Sequence, residues 1–327
     1  MKFKKFTFFH KTALHIAVEN EKEEIFQLLM QQKSILIGNK AFYQCEQLKK
    51  ITIPSFVTEI GDSAFKGCKS LTDIKIPEAV HKIGKEAFDG CASLTHITIP
   101  ATVKALENGT FANCSLLSQI SIQFLINEIS ERLFYKCSNL KEIKISDIVE
   151  VIGKESFYSC SSLEYIKIPP SVSSIEEFAF SGCSKITQIS IPTKLKEIKR
   201  HTFSKCSSLV RIDLNNELEV IGESAFSSCK SLEEVNLPES LIVIGDCAFA
   251  GCKSLKLVSI KNLVSYVGKS AFNSCSSLKQ LEIPSSVNEI GNSAFYGCLS
   301  LEQIRIPSSV KSFEKLGIPK KTNVVRF

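Results

Sequence analysis

Residues 60–82 read IGDSAFKGCKSLTDIKIPEAVHK, and residues 83–105 read IGKEAFDGCASLTHITIPATVKA. Laid one over the other they agree at the opening Ile-Gly, at Ala-Phe, at the Cys, at the Leu, and at the closing Ile-x-Ile-Pro and Val. The frame extends both ways. Cys45, Cys68, Cys91, Cys114, Cys137, Cys160, Cys183, Cys206, Cys229, Cys252, Cys275 and Cys298 stand 23 residues apart, each preceded by phenylalanine at three residues' distance (Phe42 to Phe295). Leucine follows each cysteine by three residues, with Ile186 the one exception. Twelve such units tile residues 37–312 without insertion or deletion. For a chain of 327 residues, length alone suggests two or three globular domains, but an internal repeat overrides that expectation.

Within the unit, Ile74-Lys75-Ile76 alternates apolar and polar side chains, the period of a strand with one buried face. Pro77 follows, and proline, lacking an N–H, belongs where a strand stops. Val80 and Ile83 carry the chain back along another side of the coil. The glycines at 61, 84, 153, 222, 245, 268 and 291 read as tight corners that need an unusual φ. A unit this short cannot bury its own apolar side and must stack on copies of itself. The expected fold is therefore a repeat solenoid with a parallel β-sheet on one face. Its interior is built of columns, in which Phe65 and Cys68, Phe88 and Cys91, Phe157 and Cys160, and Phe226 and Cys229 are structural core.

Thirteen cysteines invite a disulfide or metal reading. Zinc sites need clustered spacings such as C-x-x-C, which the chain lacks, and column neighbours one strand spacing apart are wider than a disulfide prefers. Reduced core thiols are the expectation. Cys247 alone lies off the column, between Asp246 and Ala248, and is the candidate for a reactive thiol. No Gly-rich phosphate loop, nucleophile elbow or H-E-x-x-H occurs, and the five histidines (His10, His15, His81, His96 and His201) are scattered. The reading is of a binding surface that uses no cofactor, no metal and no small-molecule substrate. The net charge of +6 is dispersed rather than gathered into a stripe, which argues against nucleic acid. No apolar run reaches the ~20 residues of a membrane-spanning helix. The N-terminus shows no signal-peptide core or cleavage site, which points to the cytoplasm. Two glycosylation sequons, at Asn108 and Asn113, carry little meaning without export.

The ends depart from the repeat. In residues 1–36, Leu14, Ala17, Val18, Ile25, Leu28 and Leu29 fall at helical spacing. Thr12-Ala-Leu-His-Ile-Ala-Val18 resembles the start of a single ankyrin repeat, with Ala13 in place of the usual proline. The segment is expected to be a short helical cap on the first coil, or else the remnant of a longer ankyrin array. Residues 313–327 keep the phase but lose the signature, with Ile318 at the Phe position, Lys321 at the Cys position, and Val324 and Phe327 at the Leu and Ile positions. They read as a degenerate capping half-repeat.

The unit I-G-x-x-A-F-x-x-C-x-x-L-x-x-I-x-I-P resembles that of the BspA-like leucine-rich-repeat family over residues 37–327. The resemblance implies a right-handed leucine-rich-repeat coil. It also implies a surface role, adhesion to host cells or to matrix proteins such as fibronectin and fibrinogen. An intracellular scaffold binding cytoplasmic proteins is the alternative, suggested by the absent signal and anchor.

A solenoid recognises partners through outward strand positions. Along the middle coils these are Glu142 and Lys144, Tyr165 and Lys167, Gln188 and Ser190, and Arg211 and Asp213. Tyr165, with Lys144, Lys167 and Arg211 around it and Asp213 beside Arg211, combines residue types that dominate binding energies, and is the expected centre of a protein-binding patch.

Overall fold

The computed structural model describes residues 36–122, 126–310 and 313–327. The ankyrin-like helical reading of residues 1–36 lies, but for Leu36, outside the described residues. The chain divides into two compact units, Met1–Ile143 and Lys144–Phe327. Each is a parallel β-solenoid. Among the described residues the only helical element is the 3-10 turn Phe313–Leu316.

In the second unit the repeat produces two parallel ladders rather than one. The first stacks Gln188–Ser190, Arg211–Asp213, Glu234–Val235, Leu257–Val258, Gln280–Glu282, Gln303–Ile306 and Asn323–Arg326 in that order. The second stacks Glu197–Ile198, Val220–Ile221, Val243–Ile244, Tyr266–Val267 and Glu289–Ile290. Register in both keeps the 23-residue period as far as Gln303–Ile306, as in Ile189 against Ile212 and Ile221 against Ile244. The first unit repeats the plan, with Lys50–Thr52 on Asp73–Lys75 and Leu36–Ile37, Glu59–Ile60 and Lys82–Ile83 in sequence. In the strands an aliphatic residue, most often isoleucine, points in and its neighbours point out, because side chains alternate across a strand.

Between the ladders the chain turns a corner through residues of alternating hand. In unit 2 one left-handed column runs Glu155, Phe178, His201, Ser224, Cys247, Ser270 and Ser293. Another runs Ser159, Gly182, Lys205, Ser228, Gly251, Ser274 and Gly297. Alternation turns every second N–H toward the next coil: those of His201, Phe203 and Lys205 donate to the carbonyls of Glu223, Ala225 and Ser227 at 2.9, 2.9 and 2.7 Å. The N–H groups between them, on Thr202, Ser204 and Cys206, close turns onto Lys199, His201 and Phe203. The corner thus satisfies its buried backbone without a regular element.

The conserved-in-chain glycines have a different task from the one the sequence suggested. Gly61, Gly84, Gly222, Gly245, Gly268 and Gly291 do not adopt positive φ; the left-handed positions are those two and six residues further on. They are glycine because coils approach closely there: a Cβ on Gly245 would lie 2.7 Å from the carbonyl carbon of Gly222.

Inside, the twelve phenylalanines of the repeat column, Phe42 to Phe295, are fully buried. Consecutive rings in unit 2 stack nearly parallel, with centroids 5.2–6.1 Å apart from Phe157–Phe180 to Phe272–Phe295, within the range at which ring pairs attract. All thirteen cysteines are free thiols. A column thiol serves as a weak donor to a carbonyl of the coil before: Cys229 Sγ donates to the Phe203 carbonyl and Cys252 Sγ to that of Phe226, both at 3.2 Å. A serine of similar size would lose the soft apolar packing, and an alanine would lose the bond.

The C-terminal segment does not keep the phase expected of it. Val324 pairs with Ile304, 20 residues back rather than 23, so it takes the strand Ile position and not the Leu position. The 3-10 turn and Gly317, at φ 74°, shorten the corner by three residues, and the Leu316 carbonyl receives the Phe295 N–H in the role played by alanine elsewhere. Arg326 Nη2 then donates to the carbonyls of Ser308 and Val310 at 3.1 and 3.0 Å, fixing the last strand.

Candidate protein-binding face

The outward side of the first ladder in unit 2 is a plane of side chains set by the strand period. One column holds Tyr165, Gln188, Arg211, Glu234, Leu257, Gln280 and Gln303; the other holds Lys144, Lys167, Ser190, Asp213, Asn236, Ser259, Glu282 and Arg305. The five residues expected to form the patch are all exposed: Arg211 and Asp213 stand on a strand of the ladder, and Lys144, Tyr165 and Lys167 at the same repeat positions of coils before its first strand, Gln188–Ser190. Tyr165 is 56% exposed. A ring held this far into water, on a coil whose Leu163 and Ile166 are locked in the core, is an available anchor without a binding-entropy cost from loop ordering.

The patch is shared more than it is touching. Gln188 is the register partner of Arg211 and stands between it and the Tyr165 coil, so Tyr165 and Arg211 are about two strand spacings, ~10 Å, apart. Arg211 Nε is paired with Asp213 Oδ1 at 2.8 Å along its own strand, and Ser190 Oγ donates to the other carboxylate oxygen at 3.3 Å. With both partners well exposed the pair adds little to stability, and it orients the guanidinium. Two apolar side chains outside the expected patch also lie here. Leu257 is 59% exposed in the Tyr165 column, and Val210 is 44% exposed beside Arg211. The signal that marks them is positional: each is an aliphatic residue at a place where most coils are polar.

The predicted core residues Phe65, Cys68, Phe88, Cys91, Phe157, Cys160, Phe226 and Cys229 are all fully buried. Burial pushes the Cys206 and Cys252 thiols up to about 12, so the column is chemically quiet at neutral pH. Cys247 is half-buried, at φ 55°, in a left-handed corner position. Partial burial and then the Asp246 carboxylate raise its thiol above the ordinary value, which makes it a poorer nucleophile than its off-column place suggests.

Comparison with known proteins decides the family. A model described as the BspA type leucine rich repeat region (6 copies) matches residues 35–161, 127–256 and 208–317. The chain belongs to the BspA-type leucine-rich-repeat family. Among solved structures, it is similar to a leucine-rich repeat protein from Bacteroides ovatus, at 29% identity and TM-score 0.69 over 89% of this chain and 87% of that one. It is also similar to a leucine-rich cell surface protein from Faecalibacterium prausnitzii, at 30% identity and TM-score 0.59 over 85% and 87%. The pneumococcal vaccine antigen PcpA shares the fold, at 24% identity and TM-score 0.57 over 85% and 74%. No functionally curated protein matches the sequence. Among the described residues no helix of this BspA-type chain is long and apolar enough to cross a membrane.

Proposed function

We propose that this chain is a non-catalytic protein-binding solenoid whose partner docks on the outward face that runs from the Tyr165 coil onto the first ladder of unit 2, centred on Tyr165. The observation that carries the reading is the 56% exposure of a tyrosine on a rigid coil, with Lys144, Lys167 and Arg211 on the same face. Tyr and Arg are the residue types that most often dominate protein–protein affinity. A matrix or host-cell protein is the favoured partner, with the chain displayed at a cell surface. The 30%-identical Faecalibacterium protein, described as a leucine-rich cell surface protein, supports this. A cytoplasmic scaffold is the second reading, and the thirteen free thiols favour it, since reducing compartments maintain them.

Two measurements test this. Intact source cells are labelled with a membrane-impermeant biotin reagent: recovery of the chain in the labelled fraction supports surface display. Its absence from that fraction, with the protein abundant in the lysate, supports the scaffold. Surface plasmon resonance of the full chain over immobilised fibronectin and fibrinogen then probes the face. Tyr165→Ala with Arg211→Ala is expected to weaken binding by roughly 30-fold or more; unchanged affinity removes this face as the docking site.

A further inference from the structure

The repeat supplies its own control, because a position that the fold leaves free shows as a departure from the other coils. Departures of two kinds coincide in two adjacent coils of unit 2. The close-approach column reads Gly153, Glu176, Lys199, Gly222, Gly245, Gly268 and Gly291. The left-handed column two residues on reads Glu155, Phe178, His201, Ser224, Cys247, Ser270 and Ser293. The coils that replace glycine with long charged side chains are the ones that place aromatic rings at positive φ, where Phe178 has φ 59° and His201 φ 55°. A bulky residue there is costly, and the fold does not ask for one, since serine fills the position in three later coils.

The result is a shallow groove of about 480 Å³ lined by three cations, Lys154, Lys199 and Arg200, and four carboxylates, Glu176, Glu177, Glu197 and Glu223. Cations and carboxylates alternate along it: Lys154 pairs with Glu177 at 3.4 Å, Lys199 with Glu176 at 2.6 Å, and Arg200 with Glu223 at 3.2 Å. Partial burial would raise the Glu176 carboxyl, but hydrogen bonds from Lys199 and Ser174 outweigh it and hold the group below its ordinary value, so it stays an acceptor. At the rim Phe178 and His201 stack at 4.6 Å with 16° between planes, and Tyr158 meets Phe178 at 6.5 Å. Arg200 joins groove and rim, its guanidinium 5.7 Å from the Phe178 ring centroid. Burial and then Arg200 lower the His201 imidazole, so the ring is neutral near pH 7.

These features select a ligand chemistry. Lysine and arginine only donate hydrogen bonds and carboxylates only accept them, so an alternating row suits groups that do both. Hydroxyls do both. Three cations against four carboxylates disfavour an anion, and the apolar edge of the stacked Phe178–His201 pair suits an apolar C–H face beside those hydroxyls. The geometry points to a second binding site on unit 2, distinct from the Tyr165 face, that takes a neutral oligosaccharide.

The test uses the full chain on an array of neutral and anionic oligosaccharides, with calorimetry on soluble maltose-, cellobiose-, chitobiose- and lactose-based oligomers. The decisive variants are reversions to the chain's own repeat: Glu176→Gly with Lys199→Gly, and Phe178→Ser with His201→Ser. They restore residues that neighbouring coils already carry, so circular dichroism and the urea midpoint check that folding is kept. The expected result is binding of at least one neutral oligosaccharide, weakened roughly tenfold or more by the Phe178→Ser/His201→Ser pair and untouched by Tyr165→Ala. Binding to no neutral oligosaccharide, binding confined to anionic ones, or full affinity in folded reversion variants would each overturn the proposal.

Discussion

The coils that pass through residues 176–205 and those that follow through residues 222–297 have the same interior and different exteriors. Inside, Phe180 and Phe203 are buried like Phe226, Phe249 and Phe272, and Cys183 and Cys206 donate to the preceding phenylalanine carbonyl as Cys229 and Cys252 do. Outside, the first pair carries Glu176, Phe178, Lys199 and His201 where the later coils carry glycine and, apart from Cys247, serine. The inward columns are therefore what the stack demands. The glycine column is a conditional demand: at Gly222, next to the Lys199 coil, an added Cβ would meet the Ile198 carbonyl oxygen at 2.8 Å, and the approach is closer still at Gly268 and Gly291. The hydrogen bond across the column is nearly the same in each case: the Gly222 N–H reaches the Ile198 carbonyl at 2.8 Å beside Lys199, against 2.7 Å for Gly245 on Ile221.

Alkali would strike the shared interior hardest. A thiol held at about 12 in the folded coil, as at Cys206 and Cys252, stays protonated where an unfolded chain, with thiols near 9.0, has lost its protons. The unfolded state then binds fewer protons than the native one, so stability falls as pH rises. The contribution is complete below about pH 9 and is lost progressively toward pH 12. Urea midpoints measured from pH 7 upward should drop steeply past about pH 9, with both sets of coils affected together. A flat profile would mean that the column is hydrated.

Removing one interior ring should cost less than alkali but more than any surface change. Phe226→Ala empties a position between Phe203 and Phe249, whose centroids lie 5.6 and 5.4 Å away. A loss of ~3–5 kcal/mol in urea unfolding is expected. Gly268→Ala comes next. Its Cβ would collide with the backbone of Gly245 and Asp246, and ~1–3 kcal/mol should be lost. Lys199→Gly is the opposite substitution in the same column, and it should change stability by about 1 kcal/mol or less. Equal costs for the two would show that the column makes the same demand on every coil. The smallest effect is expected at the chain's end, where Arg326→Ala removes two carbonyl contacts and should loosen the terminal strand by about 1 kcal/mol, visible as faster amide exchange at Asn323–Arg326.

How far the sequence could be read follows the same division. The 23-residue period, the buried Phe and Cys columns and the strand alternation at Ile74-Lys75-Ile76 are written directly in residue type, because burial acts on each column identically. The corner was not legible. Its left-handed positions are occupied by Ser, Lys, Glu, Phe, His and Cys as well as by Gly182, Gly251 and Gly297, so residue type marks the φ that the stack imposes only in some coils, and the glycines of the Gly61 column pointed to the wrong place. The C-terminal register was misjudged because a three-residue shortening hides behind a degenerate sequence whose valines suit either frame. Tyr165, Arg211 and Leu257 could be placed at outward positions by the strand period alone, but the Arg211–Asp213 pair required coordinates. The groove at Lys199 was legible in principle, as two columns broken in the same coils.

The most direct measurement is a thiol count on the native full chain with a small water-soluble disulfide reagent. Twelve of the thirteen cysteines are buried in the column, and Cys247 alone is half-exposed. The native protein should therefore release at most one equivalent, slowly, and thirteen after denaturation in urea. Release of several equivalents from the folded protein would contradict the buried column, and with it the account of how these coils stack.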